Sequence, residues 1–180
     1  GSQSWAHYDL KGNFICENNS LPSRKRDANE SPVSKISKEP TITTKSANSV
    51  TEVKEKRLLF FDTETTGLPR NYNAPVSDLG NWPRLVQLSW IVTDANGEEL
   101  KVKDFIIKPD GFTIPEESSR VHGITTEIAN RDGSPLKTVI EDFISDLETV
   151  DMIVGHNVEF DKKIVGAELL RCNIQSGSLD

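Results

Sequence analysis

The run Leu58-Leu59-Phe60-Phe61, broken off at once by Asp62 and Glu64, constrains this chain more than any other feature. Four consecutive large apolar residues read as a central strand covered on both faces of a sheet. Residues two apart in an extended chain point to the same side, so the strand end presents Asp62 and Glu64 to one spot. Carboxylates that close repel, and one is driven toward neutrality unless a cation lies between them. Hard oxygen donors favour Mg²⁺ or Mn²⁺ over zinc. Asp-x-Glu alone is common, however, and equally fits solvated acids or a turn cap at a strand end.

The chain changes character at Arg57. Residues 20–56 are mainly Ser, Thr, Asn, Pro, Lys and Glu, without an aromatic, and this composition predicts a disordered linker. Within it Arg24-Lys25-Arg26 reads as a solvated charge run. Ahead of the linker, Trp5, Tyr8, Phe14 and Ile15 flank Lys11-Gly12-Asn13, so residues 1–19 suggest a small hairpin or the tail of an upstream module. Residues 1–56 carry nine Lys/Arg against seven Asp/Glu, and the remaining residues twelve against twenty-one, leaving residues 57–180 at −9 of the overall −7. Such acidity argues against a protein that coats many phosphates, but not against one that grips a few nucleotides through metal ions.

From Arg57 onward the pattern predicts a mixed α/β domain over 57–180. A strand from Arg84 to Asp94 precedes Asn96-Gly97, the signal for a type I′ hairpin. The return strand from Glu98 to Lys108 loses its alternation near Asp104, which suggests a bulge there. Pro115-Glu116-Glu117 and Ser134-Pro135 look like helix starts with Pro at the first position, and Leu136, Val139, Ile140, Phe143 and Leu147 recur at helical spacing. Met152-Ile153-Val154 is a short buried strand ending at Gly155, and Phe160, Ile164 and Ala167 mark the inner face of a last helix. The order is an antiparallel three-strand meander, then a crossover to a strand parallel to the first.

Three segments carry a resemblance. Asp62-Thr63-Glu64-Thr65-Thr66-Gly67-Leu68-Pro69 resembles the first motif of the DEDD 3′→5′ exonucleases, especially the proofreading (epsilon) type of bacterial replicative polymerases. Val121-His122-Gly123-Ile124-Thr125 resembles the segment after that family's third strand, and Gly155-His156-Asn157-Val158-Glu159-Phe160-Asp161 its second acidic motif. The likeness spans about residues 57–172, and Gly80-Asn81-Trp82-Pro83-Arg84 is similar to stand-alone bacterial members. It implies a ribonuclease H-like fold. Asp62, Glu64 and Asp161 would be three of four carboxylate ligands to two Mg²⁺ or Mn²⁺ ions, with hydrolysis of DNA 3′ ends to nucleoside 5′-monophosphates. Thr65, Thr66, Gly67, Leu68, Glu117, Val121, His122, Asn157 and Phe160 match positions that hold the terminal nucleotide. His156 is expected to brace the strand-to-helix turn rather than act as a base, and His122 to touch the nucleotide or order its loop.

The family's histidine-type third motif, His-x₄-Asp on a final helix, has no counterpart here. After Asp161 there is no His, and the later acids are Glu168 and Asp180. The resemblance therefore implies a domain truncated at its C-terminus, lacking a final helix and an edge strand, with little turnover of its own. The start at Gly1-Ser2 rather than Met is likewise not expected to be a natural terminus. Single-stranded DNA is the expected partner, with RNA as the alternative and a polymerase or other replication or repair protein as a further one. A catalytically inactive binding module is the rival from a different class. Two distant cysteines without metal-ligand spacing, no long apolar stretch and no signal-like start lead to the expectation of a cytoplasmic protein away from membranes.

Overall fold

The computed structural model describes residues 5–9, 14–18 and 55–175. Its elements in chain order are β1 (Trp5–Asp9), β2 (Phe14–Asn18), β3 (Arg57–Thr65), β4 (Leu85–Asp94), β5 (Glu99–Ile106), α1 (Glu116–His122), α2 (Thr126–Asp132), α3 (Leu136–Leu147), β6 (Met152–Gly155) and α4 (Val158–Arg171). The strands make one mixed sheet in the order β2-β1-β6-β3-β4-β5. Strands β3, β4 and β5 form the antiparallel meander, and β6 returns parallel to β3. β1 pairs antiparallel with β2 and with the outer edge of β6, so the edge that the sequence leaves open is occupied. The Lys11-Gly12-Asn13 turn, the Arg24-Lys25-Arg26 run, nearly all of the 20–56 segment and Asp180 lie outside the described residues. None of the described helices is long and apolar enough to cross a membrane.

One face of the sheet carries the core. Leu59, Phe61, Leu88, Trp90 and Val92 pack against Val139, Ile140, Phe143 and Leu147 of α3 and Ile164 and Val165 of α4. Each fully buried side chain of this size contributes roughly 1.5–3 kcal/mol. The Phe143 ring lies edge-on to Trp90, with centroids 5.3 Å apart, and tilted against Phe61 at 5.2 Å. The expectation that β3 is covered on both faces is corrected here: Leu59 and Phe61 are buried, but Phe60 is 36% exposed. On the same uncovered face Val102 of β5 is 58% exposed. An apolar run shows that both faces are greasy, not that both are covered.

Local geometry departs from the sequence reading in three further places. The β4–β5 connection is not a type I′ turn, because only Gly97 has positive φ; Gly97 N–H reaches back to Asp94 O at 3.2 Å, giving a three-residue loop closed by a left-handed glycine. The irregularity in β5 lies where Val92 pairs Lys101 and Thr93 pairs Glu99, placing it at Leu100 rather than Asp104. Asp104 stays in register because its Oδ1 accepts from Gln87 Nε2 and Ser89 Oγ, both at 2.7 Å. Pro115 and Pro135 stand one position earlier than expected, as the capping residues of α1 and α3. The helix α2 has no counterpart in the sequence reading; Thr125, whose Oγ accepts from Ile128 N–H at 3.3 Å, is the capping signal that marks it.

Residues 66–84 contain no regular element, and buried polar contacts shape them. Asn81 bonds both the N–H and the carbonyl of Asn71, and Trp82 Nε1 donates to Pro75 O at 3.0 Å. A second buried group ties β4 to α3. Trp90 Nε1 donates to Asp146 Oδ2 at 2.8 Å, and Lys101 and Lys103 of β5 pair with the same carboxylate. Burial works against the Asp146 charge, but Lys101, Trp90 and Lys103 outweigh it and hold the carboxyl below its ordinary value of 3.8. A depressed folded-state pKa stabilises above the ordinary value and is lost as pH falls through the folded one. Asp146→Ala is therefore expected to cost about 2 kcal/mol at pH 7. In urea unfolding the gap between wild type and variant should narrow as pH drops below 3.8.

Candidate active site

The ladder between β6 and β3 ends at Val154 opposite Phe60. Past that point β3 has no strand on this edge among the described residues, and the Thr63 N–H points toward α4. Asp161 meets it: Oδ1 accepts from Thr63 N–H at 3.1 Å and from Thr63 Oγ at 2.6 Å. The turn that brings α4 back is tight. A Cβ on Gly155 would stand 3.2 Å from Val158 and 3.3 Å from Phe61 O, so only glycine fits without displacement. Asn157 follows with φ 56°, a left-handed conformation that Asn tolerates better than most residues. Asp161 is thereby carried, one turn into α4, to the edge of β3 with only 3% exposure.

Asp62 and Glu64 lie on the uncovered face of β3, one residue to either side of Thr63. Asp62 links the group electrostatically, because its charge raises the pKa of both Glu64 and Asp161. For all three acids the larger cause is removal from water: Asp62 and Glu64 are raised, and Asp161 is pushed up to about 7 against the lowering effect of Thr63. His156 partly offsets this at Asp62, and His122 at Glu64. His156 thus lies beside the first acid at the strand-to-helix turn. His122 orders its own loop, since Nδ1 accepts from Ile124 N–H at 3.1 Å; its Nε2 is buried with no hydrogen-bond partner among the described residues.

The residues expected at a terminal nucleotide lie on β3, the loop after it, α1 and the start of α4. Thr65 is buried and its hydroxyl donates to Gly67 O at 2.7 Å, while Thr66 Oγ accepts from Arg84 N–H at 2.9 Å. Gly67 has φ 146°, and Leu68 beside it is 75% exposed. Val121, 83% exposed, and Glu117 lie a turn apart on the solvent side of α1. Asn157 is exposed, and the Phe160 ring is half-buried, 6.3 Å from that of Tyr72. Thr63 has no assigned role in the sequence reading; a β-branched hydroxyl residue between two acids is the signal that marks it.

The donor set fits divalent cations in chemistry and in electrostatics. Three carboxylates, desolvated and coupled through Asp62, hold like charge that a hard cation would neutralise. They are not a preformed cage: among the described residues no three His, Cys, Asp or Glu side chains already group closely enough to hold an ion. Glu168, the later acid on α4, is engaged elsewhere: its Oε1 accepts from Arg84 Nε, Leu85 N–H and Arg171, and its Oε2 is buried with no hydrogen-bond partner among the described residues.

A meander-plus-parallel-strand sheet with an Asp-x-Glu strand end and a helical Asp at its rim defines a ribonuclease H-like exonuclease domain. The chain belongs to the exonuclease family, whose RNase T-type model matches residues 59–176. No curated protein matches it significantly. Among solved structures, E. coli exonuclease I in complex with a dT13 oligonucleotide is similar, with a TM-score of 0.57, 22% identity, and 69% of this chain and 26% of that one covered. The same enzyme with a dA16 oligonucleotide gives 0.56, 23%, 67% and 25%, and apo exonuclease I gives 0.57, 22%, 71% and 27%. The chain thus spans about a quarter of the exonuclease I chains, and at this identity the likeness shows the fold.

The raised Asp161 carboxyl has a measurable consequence. Between 3.8 and about 7 the native state holds a proton that the unfolded chain has released, so metal-free stability falls as pH rises through that window. Asp161→Asn removes the charge while its oxygen can still accept from Thr63. In chelator above pH 7 the variant should unfold at higher urea than the wild type, by roughly 1–3 kcal/mol, with the two converging toward pH 4. An Asn variant less stable at pH 8 would contradict the buried-charge assignment.

Proposed function

We propose that this chain carries most of the active site of a divalent-metal-dependent 3′→5′ exonuclease that releases nucleoside 5′-monophosphates from DNA, preferentially single-stranded. The observation that carries the reading is the pair of hydrogen bonds from Thr63 to Asp161, which sets a helical acid beside a strand-borne Asp-x-Glu. Asp62, Glu64 and Asp161 would hold the ions, Mg²⁺ or Mn²⁺, which when bound supply an activated water and charge stabilisation at the leaving oxygen. The remaining work falls to the chain. Gly67 lets the backbone approach the terminal sugar closely. The exposed side chains of Leu68 and Val121 offer apolar surface to a base. Asn157 and Phe160 would contact the terminal nucleotide from α4, and Glu117 from α1. His122, oriented by Ile124 N–H, keeps an N–H at Nε2 near Glu64.

The oligonucleotides in the exonuclease I complexes support nucleic acid as the ligand class. The Thr65-Thr66 pair in the first motif supports a proofreading-type, DNA-directed member over an exoribonuclease, and association with a polymerase belongs to the same proposal. In the protein that carries this domain, Asp62→Asn, Glu64→Gln or Asp161→Asn should each reduce Mg²⁺-dependent mononucleotide release at least about a hundredfold. Retention of full activity by any of the three would refute its role. Competition between matched DNA and RNA strands checks the substrate, with equal or better digestion of RNA overturning the DNA assignment.

A further inference from the structure

A concave surface outside the carboxylate centre lies between the start of α3 and the end of α4. It is a cavity of about 420 Å³ lined by Arg84, Lys108, Pro109, Asp110, Pro135, Leu136, Lys137, Arg171 and Cys172. Four of these side chains are cationic and one is acidic, within a domain region whose net charge is −9. The charge is not all consumed internally. Arg171 is, because it donates to Glu168, Pro83 O, Leu79 O and Trp82 O. Arg84 spends only Nε on Glu168 and lays its guanidinium over the Phe112 ring at 4.3 Å, leaving its terminal nitrogens without a hydrogen-bond partner among the described residues. Lys108 has no ion pair among the described residues, and Lys137 only a long, exposed one to Glu141 at 3.8 Å. The start of α3, whose capping Pro135 offers no side-chain acceptor, opens on the same cavity and adds the positive end of a twelve-residue helix.

From this geometry we infer that the Arg84–Lys108–Lys137 cavity binds a phosphate group of the nucleic-acid strand, upstream of the terminal nucleotide. The inference rests on the proposed exonuclease reading. Its link to the first-motif loop is a pair of hydrogen bonds: Arg84 N–H donates to Thr66 Oγ at 2.9 Å, and Thr66 N–H donates to Arg84 O at 2.9 Å. A strand whose last nucleotide rests on the Thr66–Leu68 backbone would continue from there toward this cavity, where Arg84, Lys108 and Lys137 meet a preceding phosphate. A thiolate role for the cavity is the less fitting alternative, since burial and Glu168 raise the Cys172 thiol despite Arg84 and Lys137.

The test is fluorescence anisotropy with 5′-labelled dT10 and the 180-residue chain in chelator, where cleavage does not intervene, over 50–200 mM KCl. Lys108→Ala/Lys137→Ala should weaken binding about tenfold and lower the slope of log K against log[KCl] by about 0.7, the loss of one phosphate contact on a single strand, while affinity for thymidine 5′-monophosphate stays unchanged. Arg131→Ala, which removes a cation on α2, should change neither. Because Lys108 and Lys137 are exposed, circular dichroism should confirm that the double variant folds. Wild-type affinity and slope in the double variant would overturn the phosphate assignment alone. Loss of mononucleotide affinity with dT10 binding intact would overturn it in favour of a free-phosphate site. Failure of the wild type to bind dT10 at all in chelator would overturn this inference, whereas the metal-dependent exonuclease reading is overturned by full activity of the carboxylate variants.

Discussion

Thr63 holds Asp161 with its backbone N–H and its hydroxyl, and the arrangement of the rest of the site follows from that double contact. A strand edge that loses its neighbour must find another acceptor for its N–H groups, because a buried unpaired donor costs on the order of 1–3 kcal/mol. Here β6 ends early, and the helix that follows supplies the acceptor as a carboxylate rather than a carbonyl. The same bond that completes the sheet therefore delivers a third acid beside Asp62 and Glu64. Gly155 and the left-handed Asn157 are the local features that let α4 turn back sharply enough to do it.

The arrangement trades stability for chemistry. An acid 3% exposed, with its pKa pushed to about 7, is an unfavourable neighbour for Asp62 in the absence of a cation. Elsewhere buried acids are compensated within the fold: Asp146 by Trp90 and two lysines, Glu168 by two arginines and a backbone N–H. At the rim, by contrast, burial raises Asp62, Glu64 and Asp161 together. That contrast between ion-paired structural acids and acids raised by burial marks the rim as a candidate functional cluster.

Much of the sheet was legible in the sequence because strand and helix periodicities are local. The Leu58–Phe61 run, the Leu88–Trp90–Val92 alternation and the Leu136–Leu147 spacing each declare an element, and their order leaves few topologies. What was not legible depends on partners. Whether Phe60 is covered is decided by what packs on that face, not by Phe60. The Asn96-Gly97 pair announces a turn but not its length, because Asp94 captures the Glu98 N–H with its own side chain and selects the longer loop. The acids of the site stood out in the motifs, whereas Thr63 and Arg84 acquire their roles only when α4 folds back against β3 and β4.

Asp161, anchored through Oδ1, is proposed to share a cation with Asp62. Anomalous diffraction from Mn²⁺-soaked crystals of the chain tests this most directly. The account requires a manganese peak within about 2.2 Å of oxygens from both Asp62 and Asp161, with Thr63 still bonded to Asp161. Manganese bound only at other surface acids, with this rim empty at saturating ion, would contradict it.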